Sequence, residues 1–330
     1  MNTYYYTSKP LWDQILADLQ TRYQVFAPFG TEGVLDYEVV SEKNISEIVY
    51  NKAKPSTPLK TFFLPVRENV TTDKKQFPAR IIIGAPNCDV EALGILDEIY
   101  LDEVFEDIFY RERRKNTLII SSDCFDVLEH CHCLSYNIKP WASARADLAV
   151  IKHKENMLFR VISEKGREFA EFTCKAQPLA DRQEITWTEN KQRETEDILL
   201  RINKGLPDYK TTGKLVDHSD NSVWLKHSRK CVSCGACTTI CPTCTCFLLI
   251  DKPGFHKVKQ MDACQYPGFE RVAGGEDALK ELADRFRNRY MCKYVWKPLK
   301  FKGLTCTGCG RCIEACIGRI NKNEIFRELV

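Results

Sequence analysis

Cys231, Cys234, Cys237 and Cys241 follow the pattern C-x2-C-x2-C-x3-C, and Cys306, Cys309, Cys312 and Cys316 repeat it. Four thiolates at that spacing can converge on an inorganic iron–sulfur cube, three from one tight loop and the fourth from the opening turn of a helix. Gly235 and Gly310 stand after the second cysteine of each run, where the loop must curl. Eight cysteines packed merely as small hydrophobes would need no such spacing, still less twice. In two-cluster ferredoxin folds the fourth cysteine of each run ligates the other cluster. That rule assigns Cys231, Cys234, Cys237 and Cys316 to one [4Fe–4S] cluster, and Cys306, Cys309, Cys312 and Cys241 to a second. Both read as redox centres. Pro242 follows Cys241 as the pattern expects, whereas Cys316 is followed by Ile317-Gly318.

Nine of the 17 cysteines remain. Cys88, Cys124, Cys131 and Cys133 lie at or beyond the ends of expected strands, and loops at the carboxyl ends of adjacent parallel strands meet at one edge of a sheet. Three readings stand side by side: a third iron–sulfur cluster on these four thiols, a zinc site drawing on His130 or His132, or buried small residues with an incidental Cys-His-Cys. Cys244, Cys246 and Cys264 form a further thiol-dense set with only three visible ligands, which either shield the neighbouring cluster, bind it in an alternative register or join a further site, packing being the simpler role. Cys174 and Cys292 are isolated and read as core or surface residues.

The elements that must hold these groups change character along the chain. Residues 10–22 carry an apolar helical face, and residues 23–29, 34–40 and 61–65 read as short strands. Residues 80–84 form a β-branched run ending in Gly84, followed by a helix over 89–100 and a second buried strand over 116–121, which together make a βαβ unit. Residues 149–151 and 158–162 suit a hairpin, and 186–202 a polar helix. Between 211 and 230 the composition turns polar, which reads as a hinge with a boundary near Asp217. The expected organisation is an α+β or α/β domain over 1–217, with a possible extra cluster site, and a ferredoxin-like, α-helical domain holding two [4Fe–4S] clusters over 218–330. A helix is expected over 276–290. Arg285, Arg287, Arg289, Lys293, Lys297, Lys300 and Lys302 crowd the approach to the second motif, either as a solvated face or as a docking face for an acidic partner.

The 330 residues suffice for two domains, and 44% hydrophobic content supports at least one core. A net charge of +3, from 48 basic and 45 acidic residues, excludes bulk electrostatic binding to nucleic acid. No run of about 18 apolar residues marks a membrane span, and no leader pattern opens the chain. The cysteines therefore read as metal ligands in a reducing cytoplasm, in an oxygen-poor setting, rather than as disulfides. No G-x-G-x-x-G follows a strand, so no nicotinamide or flavin site is expected in this chain. The expected absence of any substrate motif leaves electron transfer as the chemistry.

Several stretches taken together resemble a family of iron–sulfur subunits, those of anaerobic sulfite reductase and the beta subunits of sulfhydrogenases of the NiFe-hydrogenase type. They are Gly84-Ala-Pro-Asn-Cys88-Asp-Val-Glu-Ala92 leading into Leu96-Asp97, Cys124 with Cys131-His-Cys133, the string Cys241-Pro-Thr-Cys244-Thr-Cys246, and Cys264 through Gly275. His132 departs from the aromatic usual between the paired cysteines. The resemblance implies a non-catalytic subunit that relays single electrons between a FAD- and NAD(P)H-binding subunit and a catalytic subunit, either a siroheme sulfite reductase or a NiFe hydrogenase. It also favours the third, N-terminal cluster. The alternatives are a free-standing ferredoxin-like carrier and a binding protein stapled by structural clusters.

Overall fold

In a computed structural model, which describes residues 3–71, 76–178 and 182–330, the β-branched run at 80–85 forms the centre of an eight-stranded sheet. The strands are β1 (Tyr4–Ser8), β2 (Gln24–Thr31), β3 (Val34–Val39), β4 (Arg67–Asn69), β5 (Arg80–Ala85), β6 (Thr117–Ser122), β7 (Leu148–His153), β8 (Asn156–Val161) and β9 (Gln177–Pro178). All but β4 join this sheet, in the order β3-β2-β5-β6-β7-β8-β1-β9. β2, β5, β6 and β7 run parallel, in the registers Phe26↔Ile82, Ile82↔Ile119 and Ile120↔Leu148. The flanking strands are antiparallel, with β7 and β8 forming the expected hairpin.

Side chains alternate across a strand, so the sheet has two apolar faces. Ile81, Ile83, Leu118 and Ile120 meet Trp12, Leu16 and Leu19 of α1 (Lys9–Leu19) on one side. Ile82 and Ile119 meet Val90, Leu93 and Leu96 of α2 (Asn87–Tyr100) and Tyr110 of α3 (Ile108–Lys115) on the other. This is the layering of a mixed α/β protein. Cys174, fully buried in the first of these cores, is a packing residue. A strand expected over 61–65 is instead a 3-10 turn at Leu59–Phe62 that follows Pro58. After the short α4 (Glu164–Glu168), the long α5 (Arg182–Ile202) crosses toward the cysteine motifs.

The polar stretch 211–230 is not an open hinge. Asp208 caps α6 (Tyr209–His218) through the Thr211 amide, and Asp220 caps α7 (Asn221–Ser228) through the Ser222 amide. Their inner faces send Val216 and Trp224 into a core with Phe286, Tyr290, Tyr294, Ile325 and Phe326. The short helices α8 (Ala236–Thr239) and α11 (Arg311–Glu314) carry the two motifs. Between them lie β10 (Phe247–Lys252), β11 (His256–Met261), α9 (Leu282–Met291) and α10 (Lys297–Lys300), and α12 (Lys322–Glu328) closes the described fold. The helix expected over 276–290 begins only at Leu282. β10 and β11 form a hairpin that pairs with β4, so this smaller sheet takes one strand from the first half of the sequence and two from the second.

Candidate metal centres

Each C-x2-C-x2-C run wraps into a loop whose glycine, Gly235 or Gly310, takes a positive φ (+71° and +79°) and opens a single helical turn. The third cysteine lies in that turn, and the fourth comes just after it rather than at the start of a new helix. α8 and α11 pack on each other. One cavity is consequently lined by Cys231, Cys234, Cys237 and Cys316, with Cys312 also on its wall. A second is lined by Cys241, Cys306, Cys309 and Cys312. The first cavity thus takes three cysteines from the first run and two from the second, and the second cavity takes three from the second run and one from the first.

The N-terminal sheet builds a third. Cys88 follows β5 and Cys124 follows β6, two adjacent parallel strands, while Cys131 and Cys133 sit in the loop beyond. These four thiols line one cavity with Lys54, Asn87, Gly308 and Cys309. The second motif closes its far side: the His132 amide donates to the Gly308 carbonyl at 2.8 Å. A Cβ at Gly308, whose φ is +67°, would stand 2.6 Å from the Cys133 amide nitrogen, so only glycine allows this approach.

The three cavities share walls. Cys309 borders the third and the second, and Cys312 borders the second and the first, so they form a row. Cys244, Cys246 and Cys264 line none of the three. Cys244 lies against Cys241, and Cys246 against Cys264. His132 Nδ1 bonds the His130 carbonyl at 2.8 Å. Among the described residues no three His, Cys, Asp or Glu side chains converge on a single metal ion, which gives the zinc reading no geometric support.

What the sequence did not reveal is the ring of buried cations. Lys60, Arg289, Lys293 and Lys322 are each at most 5% exposed, and among the described residues none meets a carboxylate. Lys322 Nζ donates to Cys306 Sγ and to the Tyr294 hydroxyl, both at 3.1 Å. Lys293 Nζ donates to Thr243 Oγ1 and the Thr305 carbonyl. Lys60 reaches the Cys244 carbonyl, and Arg289 the Cys237 carbonyl. A buried unpaired cation costs several kcal/mol, so Arg289, Lys293 and Lys322 on the cavity walls favour an anionic occupant. Arg289 Nε and Thr307 Oγ1, two further donors on these walls, are buried without a partner. An iron–sulfur cluster with four thiolates is an anion of that kind, so the residues present fit it.

Electrostatics at the thiols follow the same ring. Burial pushes Cys306 up, but Lys322, His132 and Lys293 outweigh it and hold the thiol well below its ordinary range. Cys241 is also lowered, by its bond from Cys244 and then by Lys293 and Lys60. Burial dominates at Cys237, pushed up to about 11, and at Cys133 and Cys309, each pushed up to about 12. Burial opposes the charge of Lys293 and Lys322, yet neighbouring cysteines raise both above the usual lysine range. At Lys60 burial prevails and the ammonium is lowered.

Two ion pairs tie the N-terminal half to the motifs. Arg311 and Asp89 pair with both side chains at most 1% exposed. Lys54 bonds Glu314 at 2.7 Å and lies 3.8 Å from Cys131 Sγ. The basic residues near the second motif are only partly a solvated face: Arg285, Arg289 and Lys293 are buried, while Lys300 and Lys302 are exposed.

Residues 230–320 match the model of a 4Fe-4S dicluster domain. The chain is also 29% identical over 320 residues to the Sulfhydrogenase 2 subunit beta of Pyrococcus furiosus, an alignment covering 93% of this chain and 92% of that protein. The chain thus resembles a 4Fe-4S dicluster domain over residues 230–320 and, along nearly its whole length, is similar to a sulfhydrogenase beta subunit.

Proposed function

We propose that this chain is an electron-transfer subunit of a multi-subunit oxidoreductase, with its clusters in the row of three cavities. The observation that carries this reading is the shared walls: Cys309 and Cys312 each border two cavities, so no bulk solvent separates one site from the next. Cys231, Cys234, Cys237 and Cys316 hold the first cluster and Cys306, Cys309, Cys312 and Cys241 the second, in the crossed manner of ferredoxin-like folds. Cys88, Cys124, Cys131 and Cys133 hold a third. When bound, a [4Fe–4S] cluster supplies exchange of one electron at a time. The polypeptide surrounds the row with apolar and cationic side chains, excludes water from its middle, and offsets its negative charge through Lys60, Arg289, Lys293 and Lys322.

The division into residues 1–217 and 218–330 assigns the third site to the α/β part and the other two to the dicluster part. No helix among the described residues is long and apolar enough to cross a membrane, which suits a cytoplasmic complex. The resemblance to iron–sulfur subunits of sulfite reductases and sulfhydrogenases points to a FAD- and NAD(P)H-binding subunit and a catalytic subunit of the NiFe-hydrogenase or siroheme sulfite-reductase kind as partners.

Iron and sulfide analysis of anaerobically purified protein tests the assignment, with about twelve irons per chain expected for three clusters and about eight for two. Cys124→Ser lowers the count, and Cys174→Ser leaves it unchanged. An unchanged count in Cys124→Ser removes the third cluster. Purification of the native protein as a free monomer without a flavoprotein removes the subunit reading and favours a free-standing carrier.

A further inference from the structure

Of the twelve thiols that line the three cavities, Cys234 is the one exposed to solvent. The surface around it is apolar at the lip and cationic beyond. Val232 is 61% and Ile317 69% exposed. The segments bearing them abut closely: a Cβ at Gly318 would stand 2.0 Å from the Lys230 carbonyl oxygen. Arg229, Lys230 and Arg319 flank this lip, all exposed and, among the described residues, in no ion pair. The sequence holds no Asp or Glu between Asp220 and Asp251, nor between Glu314 and Glu324. At the opposite end of the row the Cys124 loop carries the exposed Glu129 and Asp126, the latter paired with Lys52 at 2.8 Å.

We propose that the lip formed by Val232, Cys234 and Ile317, with its collar of Arg229, Lys230 and Arg319, is the docking surface for an acidic one-electron carrier protein. The inference rests on the electron-transfer reading above. An exposed ligand thiol marks where a cluster comes nearest to the surface, and electrons leave or enter most readily at the shortest separation. Two exposed aliphatic side chains exclude water from the contact once it forms, as the centre of an interface does. Three unopposed cations steer an acidic partner and fix its orientation. A partner with a basic or neutral face gains nothing from this collar.

Anaerobic stopped-flow mixing of the full iron-loaded chain with a reduced acidic ferredoxin tests the proposal, the probe being the ferredoxin itself. The wild-type rate should fall about tenfold or more as salt rises from low to near-molar ionic strength. Arg229→Glu with Lys230→Glu and Arg319→Glu should be at least tenfold slower at low salt and should speed up, not slow, as salt is added. Val232→Ser with Ile317→Ser should weaken transfer at every salt concentration while leaving the salt slope unchanged. Lys152→Glu with Lys154→Glu, on the exposed β7–β8 hairpin, should match the wild type. Iron content and the EPR spectrum after reduction by titanium(III) citrate must be the same in all variants. A flat salt dependence in the wild type, or a charge-reversed triple variant as fast as the wild type, overturns the docking surface. Clusters that titanium(III) citrate itself cannot reduce would instead overturn the electron-transfer reading on which it rests.

Discussion

Replacing Arg311 by Met should cost more stability than almost any other single change outside the motif cysteines. Its guanidinium donates to both Asp89 oxygens, at 2.5 and 2.8 Å, and also to the Pro55 carbonyl at 2.7 Å and the Ser56 carbonyl at 3.1 Å. With both side chains almost fully buried, the desolvation of each ion is offset only because these charge-assisted bonds are complete. Met fills a similar volume but leaves Asp89 charged, with the Leu59 amide at 3.0 Å as its remaining donor. Breaking a buried pair in this way costs about 3–5 kcal/mol, a large part of the ~5–15 kcal/mol by which folded proteins exceed their unfolded states. At roughly 2 °C per kcal/mol for a chain of this size or somewhat smaller, the midpoint of anaerobic thermal unfolding should drop by about 6–10 °C. Asp89→Asn alone should cost a similar amount by stranding the arginine. The double variant should lose distinctly less than the sum of the two, because neither charge is then left unpaired. Asp89 adjoins Cys88 and Arg311 lies between Cys309 and Cys312, so iron held at Cys88 and Cys124 should be the first lost on warming. Losses below about 1 kcal/mol, or a double variant equal to the sum of its parts, would refute the argument that this pair clamps the two halves together.

Three further outcomes follow from the same geometry. Lys322→Met removes a cation 3.1 Å from Cys306 Sγ, so the reduction potential of the cluster at that cysteine should shift negative in an EPR-monitored redox titration, and Lys322→Arg should restore most of it. Gly308→Ala should slow cluster loading at Cys131 and Cys133, measured as iron per chain, because the added methyl clashes with the Cys133 amide and occupies a left-handed conformation. Asp107 is raised by burial but lowered more strongly by Lys259 and by the Tyr110 and Phe109 amides, so its net shift is downward. Its contribution, about 1 kcal/mol given its partial exposure, is present above the unfolded aspartate range near pH 4 and is lost as pH falls through the folded value. Asp107→Asn should therefore destabilise the protein at pH 7 and match the wild type at the acid end of an unfolding series, whereas equal loss at all pH values would contradict the assignment.

The motif cysteines were legible because their spacing is local: a short loop must bring its own thiols together whatever surrounds it. The gathering of the four N-terminal thiols, though not what they hold, could be expected for a different reason, since two adjacent parallel strands place the loops after them at one edge, and Cys88 and Cys124 follow such strands. Misreadings arose where composition stood in for pattern. Residues 211–230 are polar overall, yet Asp208 and Asp220 are ordinary helix caps and Val216 and Trp224 mark buried faces. The run at 61–65 has strand-forming residues, but the preceding Pro58 starts a 3-10 turn instead.

The basic residues carry the most general lesson. Arg285, Arg289, Lys293 and Lys297 recur every four residues, which places them on one face of the helical segment running from Leu282 to Lys300. Like charges at that spacing repel and destabilise an isolated helix. A solvated face would tolerate this through screening, but the first three are buried and the fourth half-buried, where screening is weak. Such a stripe is stable only if the face it presents meets concentrated negative charge. In a chain without acidic residues from Asn221 to Ile250, that charge cannot come from the carboxylates of the first motif's own segment. The charge at hand is that of the thiols, since Arg285 acts on Cys231, Arg289 on Cys237 and Lys293 on Cys241. The four-residue period of these cations can be read from the order of the residues, but that their face is buried against the cysteine motifs comes only from the structure.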